Sequence, residues 1–131
     1  MIGIVIVAHG GLAREYLLAL EHVVGKQSGI QSVAIGADCD RNAKQAEIDA
    51  AVKSVDAGDG VVVVTDMFGG TPSNLAIEAC KAENRAVIYG TNLPLLVKLA
   101  KARRMGLKEA VARSITAGHK YLDCTTQITA Q

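Results

Sequence analysis

The sequence has no tryptophan, one phenylalanine (Phe68) and three tyrosines among 131 residues. Its core must therefore be aliphatic, and it offers no aromatic platform on which bases could stack. A surplus of one charge is missing too, since 14 Lys and Arg stand against 13 Asp and Glu for a formal net charge of +1. That balance leaves no electrostatic footprint for nucleic acid or an anionic membrane. The cysteines, Cys39, Cys80 and Cys124, are far apart and include no C-x-x-C pair. They read as reduced, partly buried thiols of a cytoplasmic protein. No stretch reaches the roughly 20 apolar residues of a membrane span. The first apolar run, Ile2 to Ala8, has no basic residue before it and meets His9 and two glycines at once, so it is not a secretion signal. Repeats, low-complexity segments and linkers are absent, and the expectation is one domain over residues 1–131.

What is present is aliphatic and regularly spaced. Half the residues are hydrophobic and 21% are charged, which excludes intrinsic disorder. A chain of this size hides roughly two-thirds of its unfolded surface, enough for a core without disulfides or structural metal. Four β-branched runs, Ile4 to Val7, Ser32 to Ile35, Val61 to Thr65 and Ala86 to Tyr89, are continuous rather than alternating. Such runs fit strands covered on both faces. Helical spacing follows each of them. It joins Ala13, Tyr16, Leu17, Leu20, Val23 and Val24, then Ile48, Ala51, Val52 and Val55 in a segment opening near Asn42, with Gly25 and Gly58 as stops. A third helix is predicted from Thr71-Pro72, with Thr as cap, to about Lys81. A fourth runs from Leu93-Pro94 to Lys101, and a fifth carries Leu107, Val111 and Ile115 and closes at Gly118.

This alternation predicts an α/β fold: a doubly wound, flavodoxin-like, mainly parallel sheet of order 2-1-3-4. The segment Tyr121 to Thr129 is rich in strand-forming residues and is a candidate C-terminal strand, and exchanging it across a homodimer is one way to cover an open sheet edge.

Ligands in such folds bind beyond the carboxyl ends of the strands. In the order 2-1-3-4, strands one and three are neighbours about 4.8 Å apart, which places His9 and Asp66 side by side. A carboxylate on one imidazole nitrogen fixes the tautomer and leaves the other nitrogen free as nucleophile or ligand. Next to them, Gly69-Gly70-Thr71-Pro72-Ser73-Asn74 combines a tight glycine turn with a helix amino end, a cradle for a phosphoryl group. The segment lacks G-x-x-x-x-G-K-[ST], and no G-x-G-x-x-G follows the first strand, so nucleotide hydrolysis and dinucleotide binding lose support. His22 and His119 read as surface or cap residues. Arg103-Arg104 reads as a solvated helix end able to dock an acidic partner, and Asp38 and Asp40 as candidate caps of the second helix. No clustered His, Cys and carboxylate spacing suggests zinc.

Three segments together carry a resemblance: Val7-Ala8-His9-Gly10, Asp66-Met67-Phe68-Gly69-Gly70-Thr71-Pro72-Ser73-Asn74 and Gly90-Thr91-Asn92-Leu93-Pro94. They look like the enzyme IIA component of the mannose family of the phosphoenolpyruvate-dependent sugar phosphotransferase system. The resemblance covers nearly the whole chain, and the segment from Asp66 is its most specific part. It implies a phosphotransferase in which His9, on Nε2, takes a phosphoryl group from the histidine-containing phosphocarrier protein and gives it to a IIB partner. Asp66 matches the family's orienting carboxylate, and Gly69, Gly70 and Thr71 would receive the phosphoryl oxygens. No metal or other cofactor is implied, and a membrane enters only indirectly, through a permease. Many members carry a IIB domain after a linker; here the acceptor is expected in trans, for sugar uptake or for regulation. The mannose type is also a dimer in which an antiparallel strand crosses to the partner's sheet, so the resemblance implies a homodimer with an antiparallel, exchanged C-terminal strand. A short cobaltochelatase-like metal-handling enzyme, a receiver-like domain phosphorylated on Asp66 and the phosphotransfer subunit of a dihydroxyacetone kinase are the alternatives. The first needs a second well-placed histidine, and the second an acidic magnesium-binding cluster after strand one.

Overall fold

Every strand lies between helices, so both faces of the sheet are covered. In a computed structural model, which describes residues 1–126, the order is β1 (Gly3–His9), α1 (Leu12–Val24), β2 (Ile30–Ile35), α2 (Arg41–Val55), β3 (Val61–Thr65), α3 (Thr71–Ala79), β4 (Arg85–Ile88), α4 (Leu93–Lys101) and α5 (Leu107–Lys120). The strands form one four-stranded sheet of order β2-β1-β3-β4, parallel throughout, as the sequence predicts.

Side chains alternate across the central strands and build two cores. Ile4, Ile6, Ala8, Val62 and Val64 face α1, α4 and α5, where Ala13, Leu20, Leu95, Leu96, Leu99 and Ala110 meet them. Val5, Val7, Val61 and Val63 face α2 and α3, against Ile48, Val52, Leu75 and Ala76. The two middle strands are therefore apolar on both sides, which is why their sequences do not alternate.

Helix ends account for most differences from expectation. Asp40 caps α2, its carboxylate accepting from the Asn42 and Ala43 amides. The cap of α3 is Gly70, with Thr71 and Pro72 already inside the first turn, and the helix ends at Ala79 instead of Lys81. Asn92 caps α4 by accepting from the Leu95 N–H and donates its own amide to Gly118 O at 2.9 Å. Gly118 does not stop α5, which continues to Lys120. A Cβ there would lie 3.2 Å from Leu95 Cδ1, so the glycine serves close packing of α4 on α5.

Two further expectations are corrected. Arg103 is buried instead of solvated: its guanidinium donates to Ile2 O, Gly29 O and Gln27 Oε1, tying the turn after α4 to the start of the sheet. Its burial without a carboxylate lowers its pKa from the ordinary arginine value. Along Tyr121–Thr126 the predicted C-terminal strand is absent, and Thr125 and Thr126 are helical. Strand propensity is realised only against a paired neighbour, and β4 pairs within the described residues with β3 alone. The rest of that predicted strand, residues 127–129, lies outside the described residues. Among the cysteines, Cys39 and Cys80 are half-buried as expected, whereas Cys124 is exposed.

Candidate active site

Opposite Thr65, the last residue of β3, lies Val7 of β1, so Asp66, one residue on, and His9, two residues on, come together at adjacent strand ends. Asp66 Oδ2 accepts from the His9 ring Nδ1 at 2.7 Å and from the His9 backbone N–H at 3.0 Å. Its Oδ1 accepts from the Met67 N–H at 3.0 Å. Burial works to raise the Asp66 pKa, but the His9 amide, the Nδ1 hydrogen bond, the ring's charge and the Met67 amide outweigh it, and the net value is below the usual carboxylate range. An ionised carboxylate only accepts, so Nδ1 carries the proton, and in the neutral ring the lone pair is on Nε2. The His9 side chain is 48% exposed while that of Asp66 is 11% exposed, so the ring is half open to solvent and its partner is held inside.

The start of α3 closes on the other side of the ring. A Cβ on Gly70 would fall 3.0 Å from His9 Cε1 and 3.2 Å from Nε2, so only glycine allows the backbone this near. Gly69 has φ +93°, a left-handed conformation that glycine adopts without penalty. The Gly69 N–H, expected as a donor to phosphoryl oxygens, already donates to Ser73 Oγ at 2.9 Å. Among the described residues, the amides of Gly70, Thr71 and Ser73 and the Thr71 hydroxyl have no acceptor in the chain. They stand at a helix amino end, where backbone dipoles favour negative charge. The arrangement can hold an anion beside a neutral imidazole nitrogen.

Several neighbours were not singled out from sequence. Tyr16 of α1 donates its hydroxyl to Thr91 O at 3.2 Å, while the Thr91 N–H donates to Thr65 O at 3.0 Å, bracing the loops around Asp66. Burial, then the charge of Asp66, raises the pKa of Tyr16 above its ordinary value. A tyrosine on an otherwise apolar helix face needs a partner for its hydroxyl, and that was the available signal. Thr65 and Thr91 bury hydroxyls that lack a hydrogen-bond partner among the described residues. Met67, Phe68 and Tyr89 form an exposed apolar rim, with the Phe68 and Tyr89 rings 4.7 Å apart. His22 and His119, in the last turns of α1 and α5, make no hydrogen bond to His9 or Asp66.

Residues 3–115 match the family model described as "PTS system fructose IIA component". The mannose-specific EIIAB component of Escherichia coli K12 is 29% identical over 122 residues, which are 91% of this chain and 38% of that protein. The chain thus spans well under half the length of that relative. The crystal structure of a phosphotransferase system component EIIA from Streptococcus agalactiae superposes with a TM-score of 0.87 at 26% identity, covering 97% of this chain and 99% of the other. The mannose/sorbose-specific IIA subunit from Enterococcus faecalis gives 0.83 at 26% identity, covering 93% and 92%. With the family model spanning nearly all of the sheet and its helices, the chain belongs to the mannose-type IIA family of the phosphotransferase system.

Proposed function

We propose that the protein is a phosphocarrier that accepts a phosphoryl group on His9 Nε2 from the histidine-containing phosphocarrier protein and passes it to a IIB partner in trans, for sugar uptake or regulation. The observation that carries this reading is the 2.7 Å contact of His9 Nδ1 with Asp66, which makes Nε2, on the side of Gly70, the nitrogen that bears the lone pair in the neutral ring. In the transfer, the Nε2 lone pair attacks phosphorus as the donor's N–P bond breaks. The positive charge that builds on the ring is met by Asp66 across the Nδ1–H, and the phosphoryl oxygens are met by the N–H groups of Gly70 and Thr71 and the Thr71 hydroxyl. Gly69 contributes through its conformation, because its own N–H is engaged. Positioning and electrostatics do most of the work of such a step.

A donor that is itself a protein must rest on the rim around His9, and Met67, Phe68 and Tyr89 give it an apolar surface there. Large exposed apolar side chains in one patch mark contact surfaces. We also propose a homodimer built on the open edge of β4, where Val87, Ile88, Tyr89, Ile115 and Leu122 line a groove. No helix among the described residues is long and apolar enough to cross a membrane, and the reading places the protein in the cytoplasm.

Incubation with phosphoenolpyruvate, enzyme I and the phosphocarrier protein, followed by intact-mass measurement, tests the reading. One phosphoryl adduct, labile in acid and stable in alkali, is expected. An adduct with the opposite stability, or none, refutes it.

A further inference from the structure

Resting on the phosphocarrier reading, we infer that Ser73 is a positioning residue for the transfer, setting the glycine turn that faces His9 Nε2. Ser73 is fully buried, in the first turn of α3, and its hydroxyl makes two hydrogen bonds that both reach back out of the helix. Its Oγ accepts from the Gly69 N–H at 2.9 Å and donates to Gly70 O at 3.1 Å. One side chain therefore clamps the Phe68–Gly69 and Gly70–Thr71 peptide units, on either side of the Gly69–Gly70 link.

The clamp fixes where the free donors point. A trans peptide directs its C=O and its N–H to opposite sides. Gly70 O is held toward the helix by the Ser73 hydroxyl and by the Asn74 N–H, each at 3.1 Å. The N–H of that same peptide unit belongs to Thr71 and is thereby turned out of the helix start. Pro72 has no N–H, so the first turn has few donors to offer and the direction of Thr71 counts for more. The clamp also fixes a distance, since Gly70 stands where a Cβ would meet Nε2 at 3.2 Å. Gly69, at φ +93°, has no side chain to hold it in place, so without the hydroxyl the turn is free to move.

An alanine at this position removes both hydrogen bonds while leaving every group proposed to touch the phosphoryl oxygens chemically unaltered. Transfer from the phosphorylated phosphocarrier protein to wild type, Ser73→Ala and Ser73→Thr is to be measured under varied donor concentration, with hydrogen exchange of the Gly69 amide followed in the unaltered protein. The expected result is a kcat lower by on the order of tenfold in Ser73→Ala with the KM for the donor unchanged, recovery in Ser73→Thr, which keeps the hydroxyl, and a protected Gly69 amide. A merely structural serine would shift thermal stability and leave kcat alone. Wild-type kcat in Ser73→Ala, a threonine variant as slow as the alanine, or a freely exchanging Gly69 amide overturns the assignment. Should Ser73→Ala not fold, the threonine variant and the Gly69 exchange decide. If wild type is labelled and Ser73→Ala matches it, only the role of Ser73 fails; if wild type takes no phosphoryl group, the phosphocarrier reading fails first.

Discussion

One carboxylate oxygen of Asp66 holds His9 twice, taking the ring Nδ1–H at 2.7 Å and the backbone N–H at 3.0 Å. The double contact ties the ring's orientation to the end of β1, so the side chain and the strand that presents it are fixed together. Asp66→Asn keeps the shape of the group and loses its charge. The expected outcome is an unchanged fold and phosphoryl transfer slower by roughly 100-fold, because an amide cannot stabilise a positive ring. Equal rates for the variant and wild type, measured by rapid quench, would remove Asp66 from the chemistry.

The lowered pKa of Asp66 has a pH consequence with a definite sign. A carboxylate whose folded pKa lies below its unfolded value of about 3.9 contributes stability that is fully present above that value and is lost as pH falls through the folded one. The carboxyl carbon resonance of Asp66 should therefore titrate with a midpoint below the ordinary aspartate value. Transfer competence should persist at mildly acid pH as far as Asp66 is concerned. A midpoint at or above the ordinary value would contradict the two hydrogen bonds from His9.

Gly70 is extended, at φ −92° and ψ 176°, so its backbone conformation suits alanine. The obstacle is His9, whose Cε1 would lie 3.0 Å from the new Cβ. Gly70→Ala should cost roughly 1 kcal/mol of stability, as a poorer helix cap, yet slow transfer by about 100-fold through displacement of the ring. Calorimetry and transfer rates measured on the same preparation check this, and a normal rate would mean that the ring does not need its present place.

The legible part of the fold follows from apolar runs too continuous for half-exposed strands, and the order of the sheet that they imply already brings His9 and Asp66 to adjacent strand ends. What escaped the sequence was decided by tertiary contact. Arg103 reads as solvated because arginines usually are, but the turn after α4 carries it to the start of β1, where the Ile2 and Gly29 carbonyls accept its hydrogen bonds. Gly118 reads as a stop, and only the approach of Leu95 shows why a helix should tolerate it. Ser73 sits in a recognised segment, but its clamp on Gly69 and Gly70 depends on a left-handed turn that no spacing rule reports.

The assembly is tested at the sheet edge. Leu122 is 81% exposed beside the open side of β4, so Leu122→Asp should leave each subunit folded while weakening a dimer that buries it. Sedimentation should then show a shift toward monomer relative to wild type, and deletion from Tyr121 onward should do the same. An undiminished dimer with unchanged thermal stability in both would separate the C-terminal segment from assembly.

The most direct test of His9 as the phosphoryl acceptor is labelling of wild type, His9→Ala, His22→Ala and His119→Ala by phosphoenolpyruvate, enzyme I and the phosphocarrier protein, read by intact mass. Of the three histidines, His9 alone combines a half-exposed ring with a largely enclosed carboxylate partner. One adduct is expected on wild type and on the His22 and His119 variants, and none on His9→Ala. A phosphorylated His9→Ala chain would contradict the assignment outright.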